Sequence, residues 1–247
     1  MTLFASGALG RCLLGLVVTL FAALPAVAGQ RPPVVVELFT SQGCNSCPPA
    51  DKFLGELASR DDVLALSYHV DYWDYLGWKD TFASKENTQR QSMYRDRMMG
   101  RYVYTPQIII DGRAEMQGTD RARVATEIVK SKSLAELGDK AAPSPILCAE
   151  GKDGQYVISL PERPGAPKVQ LWLVRYDRRH EVEIVKGENS GRKLVYTNVV
   201  REMRPIGEWK GQAMQVTLPA DAVPEGSGVA ILAQDDHAGR ILAAGKF

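Results

Sequence analysis

Apolar and polar positions along this chain follow two rhythms, and the change between them divides the sequence. Val34-Val35-Val36-Glu37-Leu38-Phe39 is an almost unbroken β-branched and apolar run, the pattern of a strand buried on both faces. Over residues 50–59 the apolar positions Phe53, Leu54, Leu57 and Ala58 recur at helical spacing, and residues 63–70 read as the next strand. A strand, a helix and a second strand in that order predict a right-handed βαβ unit. Residues 79–99 are polar and rich in helix formers, with Phe82, Met93, Tyr94 and Met98 as the inward positions of a helical insertion. Gln107-Ile108-Ile109-Ile110 then runs into Asp111-Gly112 and is answered by Ala114-Glu115-Met116, which predicts a β-hairpin, and residues 119–137 predict a closing helix.

The rhythm changes at Ala141-Ala142-Pro143-Ser144-Pro145, a stiff stretch that ends helices. Beyond it lie short alternating runs at 156–160, 169–176, 181–185, 194–201, 214–218 and 229–233, punctuated by Pro, Gly and Asn. Strands so spaced, with no helix between them, predict a small antiparallel β-sandwich. The expected organisation is α/β, with one domain at 29–140 carrying the helical insertion and a sandwich-like domain at 146–247.

The first 28 residues carry one cation, Arg11, then an apolar run over residues 12–24, then Pro25-Ala26-Val27-Ala28. This is the layout of a secretory signal peptide cut before Gly29, with an apolar stretch too short for a stable membrane span. An uncleaved anchor would tether the same domain to the outer face of the membrane. Either way the expected location is secreted or periplasmic, with no transmembrane segment left after cleavage. Losing Arg11 from 30 basic side chains leaves 29 against 29 acidic ones. That balance, without a basic stripe, gives no support to a nucleic-acid partner. Cys12 leaves with the leader, so three of the four cysteines remain: Cys44, Cys47 and Cys148. In an oxidising compartment an odd count allows at most one internal disulfide, which argues against a framework of staples.

Cys44-Asn45-Ser46-Cys47 sits at the junction between the first strand and the first helix. A helix amino terminus favours an anion, so Cys44 is expected as an exposed, attacking thiolate, and Cys47, within the same turn, as the buried resolving sulfur. Pro48 and Pro49 suit a first helical turn, where no hydrogen bond is lost. Asn45 and Ser46 bring no cation to the pair, which argues for a moderate reduction potential and leaves the direction of electron flow open.

Strand, Cys-x-x-Cys-Pro, helix, strand, helix, then Thr105-Pro106 before a hairpin resembles the thioredoxin superfamily over about residues 33–138. Glu37-Leu38-Phe39-Thr40-Ser41-Gln42-Gly43-Cys44, His69-Val70-Asp71-Tyr72-Trp73-Asp74 and Thr105-Pro106-Gln107 further resemble a family of exported thioredoxin-like proteins of unknown function (domain-of-unknown-function family 1223). The resemblance implies that Pro106 is cis and faces the cysteines, with the Thr105 backbone beside Cys44 as a docking edge; the alternative is a trans proline opening a strand. It also implies that Glu37 shuttles the proton of the buried thiol. Glu37 lies seven residues before Cys44 where the superfamily more often has six, so this role needs a bulge near Gly43. Otherwise its carboxylate bonds to backbone or points outward.

His69, Asp71, Tyr72 and Trp73, with Asp74, fall at the carboxyl end of the second strand, where open α/β sheets place ligands. They either line a substrate groove or pack the inserted helix, with His69 a hydrogen-bonded core residue. Cys148 is either inert or a third redox partner, and the Arg90–Arg101 cluster is read as a solvated helical face. The leading expectation is an exported thiol–disulfide oxidoreductase acting on protein thiols and disulfides, with an unidentified redox partner and no cofactor. One alternative is a Cu(I)- or Zn-binding protein using Cys44, Cys47 and His69; another is a non-catalytic adaptor with a structural disulfide.

Overall fold

Strand β1 (Val34–Thr40) is buried along its whole length, as its apolar run demands, and pairs in parallel with β2 (Val63–His69) through the crossover helix α1 (Pro48–Ala58). The computed structural model describes residues 31–137, 142–151 and 154–247. The expected signal peptide lies outside the described residues. α1 starts on two prolines at no cost in hydrogen bonds and buries Ala50, Phe53, Leu54 and Leu57 along one stripe. β3 (Gln107–Ile110) runs antiparallel to β1 and turns at Asp111 and Gly112, both at positive φ, into β4 (Ala114–Gln117), the expected hairpin. Helix α2 (Lys85–Arg97) starts at Ser84, whose hydroxyl accepts from Asn87 N, and α3 (Arg121–Glu136) starts at Asp120, whose carboxylate accepts from Arg123 N.

The inserted helix differs from its expected inward face. Tyr94 is fully buried, but Met93 faces out, and Asn87, Arg90 and Gln91 point inward instead. α2 lays polar side chains beside Tyr94 on its inner face, so hydrophobic spacing misjudges its orientation.

In the second half, β5 (Ser144–Pro145), β6 (Leu147–Glu150), β7 (Tyr156–Leu160), β8 (Val169–Ile184), β9 (Arg192–Trp209), β10 (Met214–Leu218), β11 (Ser227–Gln234) and β12 (Ile241–Lys246) follow one another. The separate runs expected at 169–176 and 181–185 are one strand, β8, because the polar stretch between them lies in the outer part of a long β8–β9 hairpin. The large sheet runs β4-β3-β1-β2-β9-β8-β11-β12-β5, and β6, β7 and β10 form a second, three-stranded sheet.

Strands from both sides of the 141–145 stretch therefore share one sheet, through a parallel bridge between Ser67 on β2 and Val199 on β9, and residues 31–247 form one compact unit. Asn198 Nδ2 donates to Ala65 O, and Lys246 Nζ donates to Arg60 O and Val63 O across the same seam. The fold is mixed α/β, mostly sheet, with three α-helices among the described residues. None of these is long and apolar enough to cross a membrane.

Side-chain alternation sets the two faces of the β1–β2 pair. Val36, Leu38 and Ala65 face α1 and α3, whereas Val35, Phe39, Leu66 and Tyr68 face the other way, in the cluster that holds Tyr94 of α2. By the same alternation Thr40, Ser67 and His69 belong to the α1 face and Glu37 to the α2 face.

Candidate functional site

Cys44 and Cys47 are joined in a disulfide at the carboxyl end of β1. Cys47 N donates to Cys44 O, and the Cys47 carbonyl accepts from Ala50 N at 2.8 Å and Asp51 N at 3.0 Å, so Cys47, not Cys44, holds the N-cap of α1. Cys44 lies a turn earlier, with Sγ 3.4 Å from Ser46 Oγ.

The expectation of an exposed Cys44 is corrected: it is 1 % exposed and Cys47 0 %, while Asn45 and Ser46 between them face solvent. The loop that carries the pair is held from two directions. Asn189, in the β8–β9 turn, donates from Nδ2 to the carbonyls of both Gln42 and Cys44 at 2.9 Å. Trp73 packs against Gly43, where a Cβ would stand 3.2 Å from the Trp73 Cβ. The hairpin that binds this loop comes from the half of the chain expected to form a separate domain.

The Thr105–Pro106 peptide bond is cis. Trp73 Nε1 donates to Thr105 Oγ1 at 2.8 Å, so one indole bridges the motif loop to the proline loop. A Cβ added at Gly118 would lie 3.0 Å from Pro106 Cβ and 3.1 Å from Ala50 Cβ, which puts the proline ring beside the first turn of α1. Thr105, Pro106 and Trp73 are thus gathered around Gly43 of the motif loop and the first turn of α1.

Glu37 is not brought to it. Alternation along β1 turns its side chain to the α2 face, opposite the face that Val36 and Leu38 present to α1. There its Oε1 accepts from Arg90 Nε at 2.8 Å and its Oε2 from the Tyr94 hydroxyl. Arg90 also donates to Tyr94 Oη and to Gln234 Oε1. Within the Arg90–Arg101 cluster Arg90 is a buried ion-pair partner, while Arg95 and Arg97 pair with acids nearer the surface.

His69 is a core residue. Its ring is fully buried, Nδ1 lies 2.7 Å from Asp80 Oδ2, and it meets Phe82 and Tyr196 edge to face. Tyr72 donates to Gln91 Oε1 and Asp71 accepts from Thr88 Oγ1, so both brace α2. Among the described residues no group of three or more His, Cys, Asp or Glu side chains is arranged to hold a metal ion. Cys148 on β6 is a free, half-buried thiol packed on the cluster of the second sheet, and burial pushes its pKa up.

Four residues that the sequence reading passed over complete the neighbourhood. Gln42 is fully buried; its N–H donates to Asp80 Oδ2 at 2.7 Å and its Oε1 accepts from Trp78 Nε1. Asn189 caps the loop from above. Asp51, one helical turn after Cys47, is 5 % exposed, and its Oδ1 accepts from Thr40 Oγ1 at 2.7 Å. Burial raises the Asp51 carboxyl to a pKa of about 7, with His69 and the Thr40 hydroxyl pulling against that rise and Asp80 adding to it. Asp80 is shifted the other way: burial alone would raise it, but His69 and the N–H groups of Gln42 and Phe82 hold it below the usual range.

The fold and site define an α/β chain with a disulfide at a helix amino terminus beside a cis-proline loop. It belongs to the family described as "Protein of unknown function (DUF1223)", matched over residues 35–234. Among solved structures it is similar to protein AGR_C_4864 from Agrobacterium tumefaciens, with 34 % identity, a TM-score of 0.76, and coverage of 89 % of this chain and 96 % of that one. It also shares a fold with HBP35 of Porphyromonas gingivalis at 12 % identity and a TM-score of 0.55, covering 88 % of this chain and 75 % of that one. No curated protein matches the sequence.

Proposed function

We propose that this chain is an exported, thioredoxin-like thiol–disulfide oxidoreductase that exchanges the Cys44–Cys47 bond with protein thiols. The observation that carries this reading is the disulfide at the start of α1, with cis Thr105–Pro106 beside the same helical turn. A thiolate released at Cys47 would sit at the positive end of α1, where unpaired N–H groups stabilise it as a leaving group. Because both cysteines are buried in the disulfide form, attack on Cys44 requires the loop held by Trp73 and Asn189 to open, which would restrict exchange to partners that displace these contacts. Export rests on the leader-like first 28 residues.

The burial of both sulfurs favours a second reading, a bond that only holds the loop in place. Titration of the purified protein with glutathione or dithiothreitol, with thiols counted by alkylation, separates the two. A native-state two-electron reduction, and mixed disulfides trapped by Cys47→Ser, support exchange. A bond that reduces only when the protein is unfolded refutes it.

A further inference from the structure

Four buried polar atoms among the described residues have no hydrogen-bond partner: Asp51 Oδ2, Ser67 Oγ, His69 Nε2 and Tyr196 Oη. Their placement is connected. Ser67 and His69 project from β2 toward α1, Asp51 projects from α1, and Tyr196 comes from β9, with its ring centroid 4.7 Å from that of His69. Burial and the nearby Asp51 and Asp80 carboxyls all raise the Tyr196 hydroxyl pKa. Buried polar atoms are nearly always hydrogen-bonded, so these four mark the space between α1, β2 and β9 as polar and open to a further group.

Asp51 follows Cys47 by four residues, and Cys47 already has helical dihedrals, so the two side chains lie on the same face of α1 one turn apart. Asp51 and Pro48 also share the wall of a cleft of about 380 Å³ between α1 and β9, rimmed by Lys52, Lys193, Val195 and Thr197. The buried carboxyl therefore has the cysteine pair on one side and a way to solvent on the other.

We infer that Asp51 is the proton donor and acceptor for Cys47, taking the role expected of Glu37. This rests on the exchange reading given above. In the reductive direction a partner thiolate attacks Cys44 Sγ and forms a new S–S bond. The Cys44–Cys47 bond breaks, its electron pair goes to Cys47 Sγ, and the proton of the neutral Asp51 carboxyl passes to that sulfur. In the reverse direction the Asp51 carboxylate takes the proton as Cys47 attacks Cys44 in the mixed disulfide and expels the partner thiolate. Two buried carboxyls pushed apart, Asp51 up and Asp80 down, are the arrangement that assigns one as acid and the other as a fixed charge. The groups facing Asp51 are Thr40 on β1, His69 and Ser67 on β2, Asp80 before α2, Tyr196 on β9, and Lys52 and Lys193 at the cleft.

The test is the rate of reduction by dithiothreitol between pH 5.5 and 9 for the wild type and Asp51→Asn, taken as a ratio so that the reductant's own titration cancels. General acids contribute about 10²- to 10⁴-fold, so the wild type should be at least about tenfold faster below pH 7, with the advantage lost through pH 6–8. A ratio that stays flat overturns the inference and leaves exchange standing; a wild-type bond inert to dithiothreitol in the native fold overturns both. Independently of whether the variant folds, the Asp51 carboxyl carbon of the wild-type disulfide form should titrate near pH 7 by ¹³C NMR and shift its midpoint on reduction. A midpoint near 4, or one indifferent to the redox state, refutes the assignment.

Discussion

Replacing Arg90 by Met keeps the length of the side chain and removes its charge and donors, leaving Glu37, with no exposed surface, facing an apolar group in the interior. The loss can be worked in two ways. Breaking a buried ion pair by deleting one partner costs about 3–5 kcal/mol. Counted bond by bond, Arg90 makes three charge-assisted bonds, to Glu37, Tyr94 Oη and Gln234 Oε1, worth about 1.5–3 kcal/mol apiece before the cost of burying the guanidinium is set against them. The first route already includes that cost and centres on about 4 kcal/mol. For a chain of this size that lowers the melting temperature by about 8–16 °C. Urea denaturation of both proteins at pH 7 measures the difference, and the double variant Arg90→Met with Glu37→Gln should recover part of it. A loss below about 1 kcal/mol would show that Glu37 has another partner or is reached by water, and would reopen the question of which carboxyl serves the cysteines.

Asn189→Ala removes the donor that holds the Gln42 and Cys44 carbonyls; it should cost about 1–3 kcal/mol and speed reduction of the disulfide, and unchanged reduction kinetics would exclude the hairpin as a restraint on its loop. The pH dependence of stability should carry the mark of Asp51 and of Asp111, which burial raises to about 7 and about 6. A carboxyl whose folded pKa exceeds its unfolded value contributes stability that is full below pH 4 and lost as pH climbs through 6–7. For Asp51 a rise from 3.8 to about 7 corresponds to about 4 kcal/mol, so Asp51→Asn should flatten the decline between pH 4.5 and 8 in denaturant titrations. Parallel profiles for the two proteins would count against the raised value.

What the sequence disclosed follows from how local each signal is. β1, α1, β2 and the β3–β4 hairpin were legible because a β-branched run, a proline pair, a 3.6-residue stripe and an Asp-Gly turn each act within a few residues. Strand alternation also held the answer for Glu37: it shares its parity with Val35 and Phe39, whereas Thr40, which bonds Asp51, shares that of Val36 and Leu38. Asp51 could have been found from the helix alone, since it lies three residues before Leu54 and seven before Ala58 on the apolar stripe, where a carboxylate is out of place. Asn189 had no such signal. It reaches Cys44 across 145 positions, and only the fold brings a hairpin tip to that loop. The polar inner face of α2 was hidden for a related reason, because Arg90 and Gln91 are buried by partners on distant strands.

The seam between β2 and β9 gives the chain a particular vulnerability during synthesis. Until residues 192–209 emerge, the outer edge of β2 offers unpaired backbone groups to any neighbouring strand, and the Lys246 ammonium that fastens the loop before it is made later still. Folding of the first half is thereby completed by strands made after it, so a nascent or truncated product stopping near residue 140 should need a chaperone to escape self-association.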